Sequence, residues 1–465
     1  MDCNREYLER VIVVDSVMGS GKTSFAIVYM NEHPEKKFIY ISPLLDEADR
    51  IIEKCPELNI KKPSRDSHAT KALHFHSLIE DGENIASTHS LFESIGNRTI
   101  DLLRLRGYNL ILDESISVLN SFRDKDDSGY KTGKKGKRWW SAEHSRQMLQ
   151  NDVETLLESN FLSVNELNQV EWIGKRLSKY DKIKSVADRN ILYYINNKAL
   201  MWSFPDDVFN IDVFDTITVF TYQFDYQLMS KYFEFFEIEY GKYYVQAHPV
   251  TDDYELFPYE PNAAHEMEFR KFLKSKIEII EDYKLNKIGS PNGRRVNALS
   301  SSWWDRNRDE AIAQMDSNLD SFFRTKAKSY AAERAWTAFK KVSEEIGKNS
   351  RYVNTDYWVA STSRGTNEYR NRTAVAYCVN FYSSPDETSF FRRKELEIDN
   401  DKIATSTMLQ FIFRFAIRDG KKIMVYIPSW RMRTLLRLYL DGRDPSDIRD
   451  VIAKLPKGAY IADSE

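Results

Sequence analysis

Cysteine is scarce in this sequence: Cys3, Cys55 and Cys378 are far apart, odd in number and form no C-x-x-C pair. That spacing argues against a disulfide framework or a structural zinc and suits reduced thiols in a cytosolic protein. No stretch approaches the ~18 continuous apolar residues of a membrane helix. The N-terminus carries Asp2, Arg5, Glu6, Glu9 and Arg10 where a signal peptide would have its apolar core. A soluble, unprocessed, cytoplasmic chain is expected. Charge of one sign is missing as well, since 67 basic residues face 70 acidic ones for a net −3. The whole is therefore no polycation, and any nucleic-acid groove must be a local basic lining. With 13 prolines and 17 glycines the chain is not of low complexity, and it shows no fixed repeat.

What is present is length, apolar material and alternation. The 465 residues allow two to three domains, with 42% hydrophobic residues for more than one core. Aromatics reach 13% and serve core packing first, although flat rings also stack on bases. Short apolar runs alternate with helical spacing, the habit of a parallel sheet with crossover helices. The runs Val11–Val14, Lys37–Ile41, Tyr108–Leu112 and Ile217–Phe220 predict strands, and Lys22–Met30 and Leu44–Lys54 predict helices. From about Asn120 to Asp207 the alternation gives way to an insertion, with helical spacing over Asp152–Glu158 and Asn165–Leu177. Further on, Glu266–Glu281 and Asn307–Ile346 predict helices and Gly289–Arg295 a loop. Near the C-terminus Tyr357–Ala360, Thr373–Val379 and Lys422–Ile427 predict strands, and Ser406–Ile417 and Trp430–Tyr439 helices.

The most specific signal is Ser16-Val17-Met18-Gly19-Ser20-Gly21-Lys22-Thr23, which follows an apolar strand and opens a helix. Gly19 and Gly21 let the backbone curl so that its N–H groups face phosphate oxygens, and the helix N-terminus adds partial positive charge. Lys22 is expected to hold the β- and γ-phosphates of ATP and Thr23 to ligate Mg2+. Ser16 stands where the general pattern has its first glycine. A second signal is the strand Tyr108–Leu112 running into Asp113-Glu114. An acid at a strand end can hold magnesium through water, and its neighbour can orient and deprotonate the attacking water. Alone this pair is also an ordinary turn after a buried strand.

Phosphate loop, acid pair and the segments in between occur in the order of superfamily 2, and the chain resembles the DEAD-like helicases. It looks closest to a bacteriophage branch related to the herpesvirus origin-binding helicases. In that class a small residue often stands at the position of Ser16. Lys37–Pro43, ending in Ser42 and Pro43, resembles the segment that touches the nucleic-acid backbone, and Ala86-Ser87-Thr88-His89 the next one. Phe220-Thr221-Tyr222 takes the place of the coupling element. Ser361–Asn367 resembles the motif that contacts ribose and nucleic acid, which implies Arg364 on the strand and Gly365 and Asn367 on the nucleotide. Gln410–Arg418 resembles the glutamine-to-arginine motif on a helix of the second half. It implies Gln410 at the nucleotide and Arg414 as arginine finger, with Arg418 one helical turn further on.

The resemblance implies an α/β fold of two RecA-like parallel-sheet domains, a phosphate-loop NTPase with a largely helical insertion. The first would span residues 1–225 with the insertion at about 120–207, the second 226–465 with a helical insertion at about 247–349. It also implies catalytic roles for Lys22, Glu114, Arg414 and Arg418, with Thr23 and Asp113 at the metal. The cofactors would be ATP and Mg2+, and the partner single-stranded nucleic acid, DNA before RNA, alongside replication proteins in a host cytoplasm. If Lys22 and Glu114 lie on one half and Arg414 on the other, hydrolysis requires closure. A phosphate-loop kinase acting on a small molecule, an ATP-clamped loading protein and an RNA helicase remain as alternatives.

Weaker signals are the basic run Lys131–Arg138 beside Trp139 and Trp140, and Gly293-Arg294-Arg295 followed by Ser300–Trp304. Both suit phosphate contact and base stacking. The first run suits equally a solvated surface loop whose tryptophans fold back on the core, and for the second a helix-entry loop with buried tryptophans is the favoured reading. His74, His76 and His89 lack a Cys or acid at a familiar metal spacing.

Overall fold

The structure, a computed structural model, describes residues 9–66, 68–121, 130–132, 138–140, 142–203, 208–209, 212–248, 253–261, 263–348, 350, 352–361 and 368–457. Its contacts divide the chain into two compact units. The first holds the chain up to Val13, Ala26–Gly241 and Ser384–Ile398; the second holds Val14–Phe25, Lys242–Ser383 and the chain from Asp399. The short segment Val14–Phe25, with the glycine loop, thus groups with residues far away in sequence.

In the first unit the strands β1 (Val11–Asp15, reaching into the second unit), β2 (Lys37–Ser42), β3 (Ile85–Thr88), β4 (Tyr108–Asp113) and β5 (Thr216–Thr221) lie in the order β1-β5-β4-β2-β3. The pairs β5–β4, β4–β2 and β2–β3 are all parallel. Parallel strands covered on both faces need continuous apolar runs, and Phe38, Ile39, Tyr40 and Ile41 of β2 are all buried. The insertion contains the helix Ala142–Glu158 and the helix Asp181–Ala187 together with an antiparallel three-stranded sheet of Leu192–Ile195, Lys198–Trp202 and Leu119–Ser121. Against that sheet packs the helix Pro385–Arg393. Phe390 meets the rings of Tyr193 and Trp202 at 5.1 and 4.9 Å, and Asp386 pairs with Lys198 at 2.9 Å.

The second unit contains the antiparallel hairpin β6 (Gly241–Ala247) and β7 (Tyr254–Pro258). It also contains a parallel sheet of β8 (Ile277–Ile279), β9 (Arg334–Thr337), β10 (Ala374–Tyr377) and β11 (Ile423–Tyr426), in the order β8-β11-β10-β9. The long helix Ser301–Ser321 covers it through Trp304, Met315 and Leu319, which join Trp336 and Tyr426 in one core. The expected α/β class with parallel sheets is what the chain adopts.

Several elements differ from the sequence reading, each for a local reason. Asn165–Leu177 is not a helix: Leu162–Val164 pairs antiparallel with Val170–Trp172. The Asn165 side chain accepts from the N–H groups of Leu167 and Gln169, and Asn168 turns at φ +62, so side-chain bonding outcompetes the helix. Within Asn307–Ile346 the helix ends and β9 intervenes, a four-residue buried run that periodicity does not separate from a helix. Glu266–Glu281 is a helix only to Lys276, where β8 begins. In place of a strand at Tyr357–Ala360 there is a 3-10 turn, Thr355–Tyr357, whose Asn354 side chain accepts from Asp356, followed by a single bridge from Trp358 to Trp336. The helix expected over Ser406–Ile417 spans Asn400–Ile412 and stops there.

Candidate functional site

The glycine loop leaves the end of β1 and enters the helix Lys22–Glu32. Gly19 and Gly21 adopt φ of +82° and +95°, a region that side chains with a Cβ avoid. A Cβ at Gly21 would lie 2.0 Å from Cε1 of Tyr254, the first residue of β7, so any other residue there would require the tyrosine ring to move. At Gly19 a Cβ would touch the Phe413 ring at 3.4 Å. Lys22 donates from Nζ to the carbonyls of Ser16, at 2.7 Å, and Val17, at 3.0 Å, so its ammonium lies across the loop. The Ser20 hydroxyl is buried and finds no partner among the described residues. Thr23 follows in the first helical turn.

Ser16, which replaces the general glycine, has a structural task. Its Oγ accepts from the Val245 N–H at 2.7 Å, with both residues buried, and so ties the loop to β6. One residue earlier the buried Asp15 pairs with Lys242 of the same strand at 3.1 Å. Desolvation is offset here because the charges are mutual.

The second unit also carries Gln410, Arg414 and Arg418. Gln410 sits near the end of its helix and donates to Ser406 Oγ at 3.4 Å. Arg414 is buried, directly after the Phe413 that meets Gly19. The expectation of one helix through both arginines fails: Phe413 caps it, Phe415 is extended, and Arg418 lies in the separate 3-10 turn Ala416–Asp419. The Ala416 N–H bonds the Arg372 carbonyl, a tertiary partner that draws the chain out of the helix.

In the first unit five predicted residues, Ser42, Pro43, Thr88, His89 and Asp113, come together at the carboxyl ends of neighbouring strands. Ser42 pairs in register with Thr88, Ile41 with Leu112, and Phe220 with Asp113. Pro43 and His89 follow their strands directly. Asp113 is buried and accepts from the Tyr40 hydroxyl at 2.5 Å. His89 Nε2 lies 3.0 Å from the Asp113 carbonyl, which can only accept, so that nitrogen carries the proton. His89 thus reaches the acid pair itself as well as standing in the expected strand-contact segment. Ser42 Oγ donates to the Leu44 carbonyl, which shapes the turn containing Pro43. Thr221 Oγ1 accepts from buried Gln227 at 2.9 Å.

Glu114 has φ +69, a left-handed conformation that is uncommon for a residue with a long side chain, and its N–H is held by the Phe220 carbonyl at 2.9 Å. Its Oε2 is buried with no hydrogen-bond partner among the described residues. Tyr40, Gln227 and Tyr254 were not singled out from sequence. A tyrosine inside the otherwise apolar β2 is the one signal, because a buried hydroxyl needs a partner. Arg364, Gly365 and Asn367 lie outside the described residues, as do the side chains of the run Lys131–Trp140. His74 accepts from the Ser64 N–H, and His76 bonds Thr99 at 3.0 Å. Among the described residues no cluster could hold a metal by His, Cys, Asp and Glu alone.

Fold and loop together define an α/β protein with parallel sheets and a glycine-turned loop at the end of its first strand. The chain matches the model of the YonV C-terminal Rossmann-like domain over residues 271–440 and that of the YonV middle domain over 145–202. It is 32% identical over 448 residues to the SPbeta prophage-derived protein YonV of Bacillus subtilis (strain 168), spanning 94% of this chain and 100% of that protein. The chain belongs to the YonV family. Among solved structures it resembles an apo XPD, with TM-score 0.37 and 11% identity over 92% of this chain and 95% of the other. A structure titled XPD helicase gives TM-score 0.37 and 12% identity over 93% and 95%.

Proposed function

We propose that the chain is a nucleic-acid-dependent ATPase, a strand translocase or helicase of prophage origin acting on DNA. The observation that carries this reading is the acid pair at the end of β4: Asp113 fixed by Tyr40, and Glu114 turned left-handed with a carboxylate oxygen left without a partner. A buried carboxylate oxygen with no hydrogen-bond partner among the described residues, on a left-handed backbone, costs stability and is retained where chemistry uses it. One strand, β5, separates β4 from the β1 strand that leads into the glycine loop. Ligands of open α/β sheets bind outside the carboxyl ends of such strands.

The residues fit a magnesium nucleotide. The loop's glycines allow N–H groups to converge, the Ser20 hydroxyl has no partner among the described residues, and a carboxylate stands fixed at the strand end. Magnesium, when bound, would supply neutralising charge on the phosphates, with Thr23 and Asp113 as its protein contacts. Lys22 would leave the Ser16 and Val17 carbonyls for the β- and γ-phosphates. Glu114 would orient water and take its proton, while Arg414 would stabilise charge growing on the transferred group, with Arg418 as an accessory cation. Gln410, Gly365 and Asn367 would contact the nucleotide. Ser42, Pro43, Thr88, His89 and Arg364 would contact the strand, and His89 would link it to the acid pair through the Asp113 carbonyl.

Steady-state ATP hydrolysis measured with no polymer, single-stranded DNA, duplex DNA and RNA in turn tests this. Turnover should be low alone and highest with single-stranded DNA. Rates indifferent to every polymer would leave a kinase or an ATP-clamped protein as the better reading.

A further inference from the structure

A second candidate site lies wholly in the second unit, away from the glycine loop in sequence. It is a cavity of about 660 Å³, within the usual range for ligand sites. It opens outside the carboxyl ends of the paired parallel strands β8 and β11, between Glu281 and the start of the helix Trp430–Leu440. Gly289 holds two walls together, since a Cβ there would fall 2.0 Å from the Pro428 carbonyl oxygen.

Its chemistry is specific. Lys287, Arg295 and Arg306 line it with exposed side chains. Arg433 backs it but is already committed to the Ile427 and Pro428 carbonyls. Among the described lining residues one carboxylate occurs, Glu281, and it is neutralised by Arg437 and Arg433. Trp303 and Trp430 also face the cavity and stay partly exposed, whereas Trp304 beside Trp303 is fully buried. Trp304 thus belongs to the core, whereas Trp303 packs against that core and remains partly exposed at the cavity. At Asn307 the long helix kinks, with φ −124, and its side chain donates back to the Trp303 carbonyl, which steadies the tryptophan's turn at the rim.

We propose that this cavity receives a nucleotide unit of a single DNA strand, its base against Trp303 and Trp430 and its flanking phosphates against Lys287, Arg295 and Arg306. Flat rings serve any base, and exposed cations serve the backbone, a combination that binds a strand without reading its sequence. Arg306 is the most constrained of the three, since its Nε donates to the Ser302 carbonyl at 3.2 Å. The inference rests on the proposed strand-dependent ATPase but uses residues outside every motif that carries that reading.

The test measures binding of a fluorescein-labelled oligothymidylate to the full chain by anisotropy across a salt series. Lys287→Ala with Arg295→Ala removes two exposed cations. Affinity should fall roughly 10- to 30-fold near 0.1 M salt, and the slope of log affinity against log salt should flatten by about 1.4, or about 0.7 per lost phosphate contact. Trp430→Ala should weaken binding roughly tenfold with the slope unchanged, since stacking is not a counterion effect. Strand-free ATP hydrolysis should stay unaltered in both. Should the unmodified chain bind the strand and the double variant bind it equally well with the same slope, this site assignment falls while the ATPase reading stands. If no polymer binds or stimulates the unmodified chain, both fall. Displacement of the oligothymidylate by thymidine monophosphate with equal affinity would overturn the strand assignment in favour of a free nucleotide.

Discussion

Two side chains concentrate the local cost of the candidate site. Glu114 holds φ +69, where a residue with a Cβ loses about 1–2 kcal/mol relative to its relaxed backbone. Glycine would relieve that strain, offset by its own unfolded-state entropy of about 0.5–1 kcal/mol. Glu114→Gly should therefore be neutral to slightly stabilising in urea unfolding while ATP hydrolysis is lost. Glu114→Gln should keep nucleotide binding and lose hydrolysis by roughly 10² to 10⁴. Hydrolysis at the unmodified rate in either variant would remove Glu114 from the chemistry. Ser16 carries the opposite lesson, because a residue that departs from the phosphate-loop pattern is fixed by packing. Ser16→Gly restores the pattern but leaves the buried Val245 N–H without its acceptor, a loss of about 1–3 kcal/mol. Equal midpoints for Ser16→Gly and the unmodified chain would show that the Ser16–Val245 tie is dispensable.

Among elements, the hairpin β6–β7 is the one whose relation to the glycine loop the sequence did not disclose. Through β6 it meets Ser16 and Asp15, and through Tyr254 it meets Gly21. Tyr244 of the same strand stacks on His265 at 4.0 Å, in the first turn of the helix Ala264–Lys276. Burial holds the His265 pKa below its ordinary 6.5, against the pull of Glu266, Glu268 and Asp15. The folded state thus binds the proton less readily than the unfolded chain. Stability from this stack is complete above about pH 6.5 and declines as pH falls through the lowered folded value. Unfolding midpoints in urea should fall between about pH 7.5 and pH 5.5, with a shallower fall in His265→Phe. Parallel pH profiles for the two proteins would refute the assignment. The strands β1, β2, β4, β5, β10 and β11 were legible because continuous apolar runs sit between loop signals. The hairpin at Leu162–Trp172 was not, because an asparagine side chain decided it, and β9 was not, because four buried residues have no period. Within the site, the glycine loop and acid pair were legible as local words. Tyr40, Tyr254 and Gln227 were not, since each acts on a partner that only folding brings near it.

At the scale of the whole molecule, the glycine loop, Gln410, Arg414 and Arg418 belong to one compact unit, and Ser42, Thr88, His89, Asp113 and Glu114 to the other. In the proposed ATPase, strand binding that favours a hydrolytically competent state would raise turnover by a shift in populations, with no new catalytic group. The two arginines separate that effect from simple nucleotide grip. Arg414 is buried next to the Phe413 that touches the loop at Gly19, whereas Arg418 stands beyond the extended Phe415, partly exposed, in a different turn. A cation that acts on charge developing in the transition state contributes to turnover far more than to ground-state affinity. Arg414→Ala should accordingly bind ATP nearly as well as the unmodified chain and lose about 10³ in single-turnover hydrolysis with saturating single-stranded DNA. Arg418→Ala should lose much less, because the helix that would have aligned it with Arg414 ends before either residue. Circular dichroism of both variants establishes that each is folded before the comparison is read. A near-normal Arg414→Ala beside an inactive Arg418→Ala would transfer the role to the second arginine, and normal hydrolysis in both would mean that neither residue serves the phosphates.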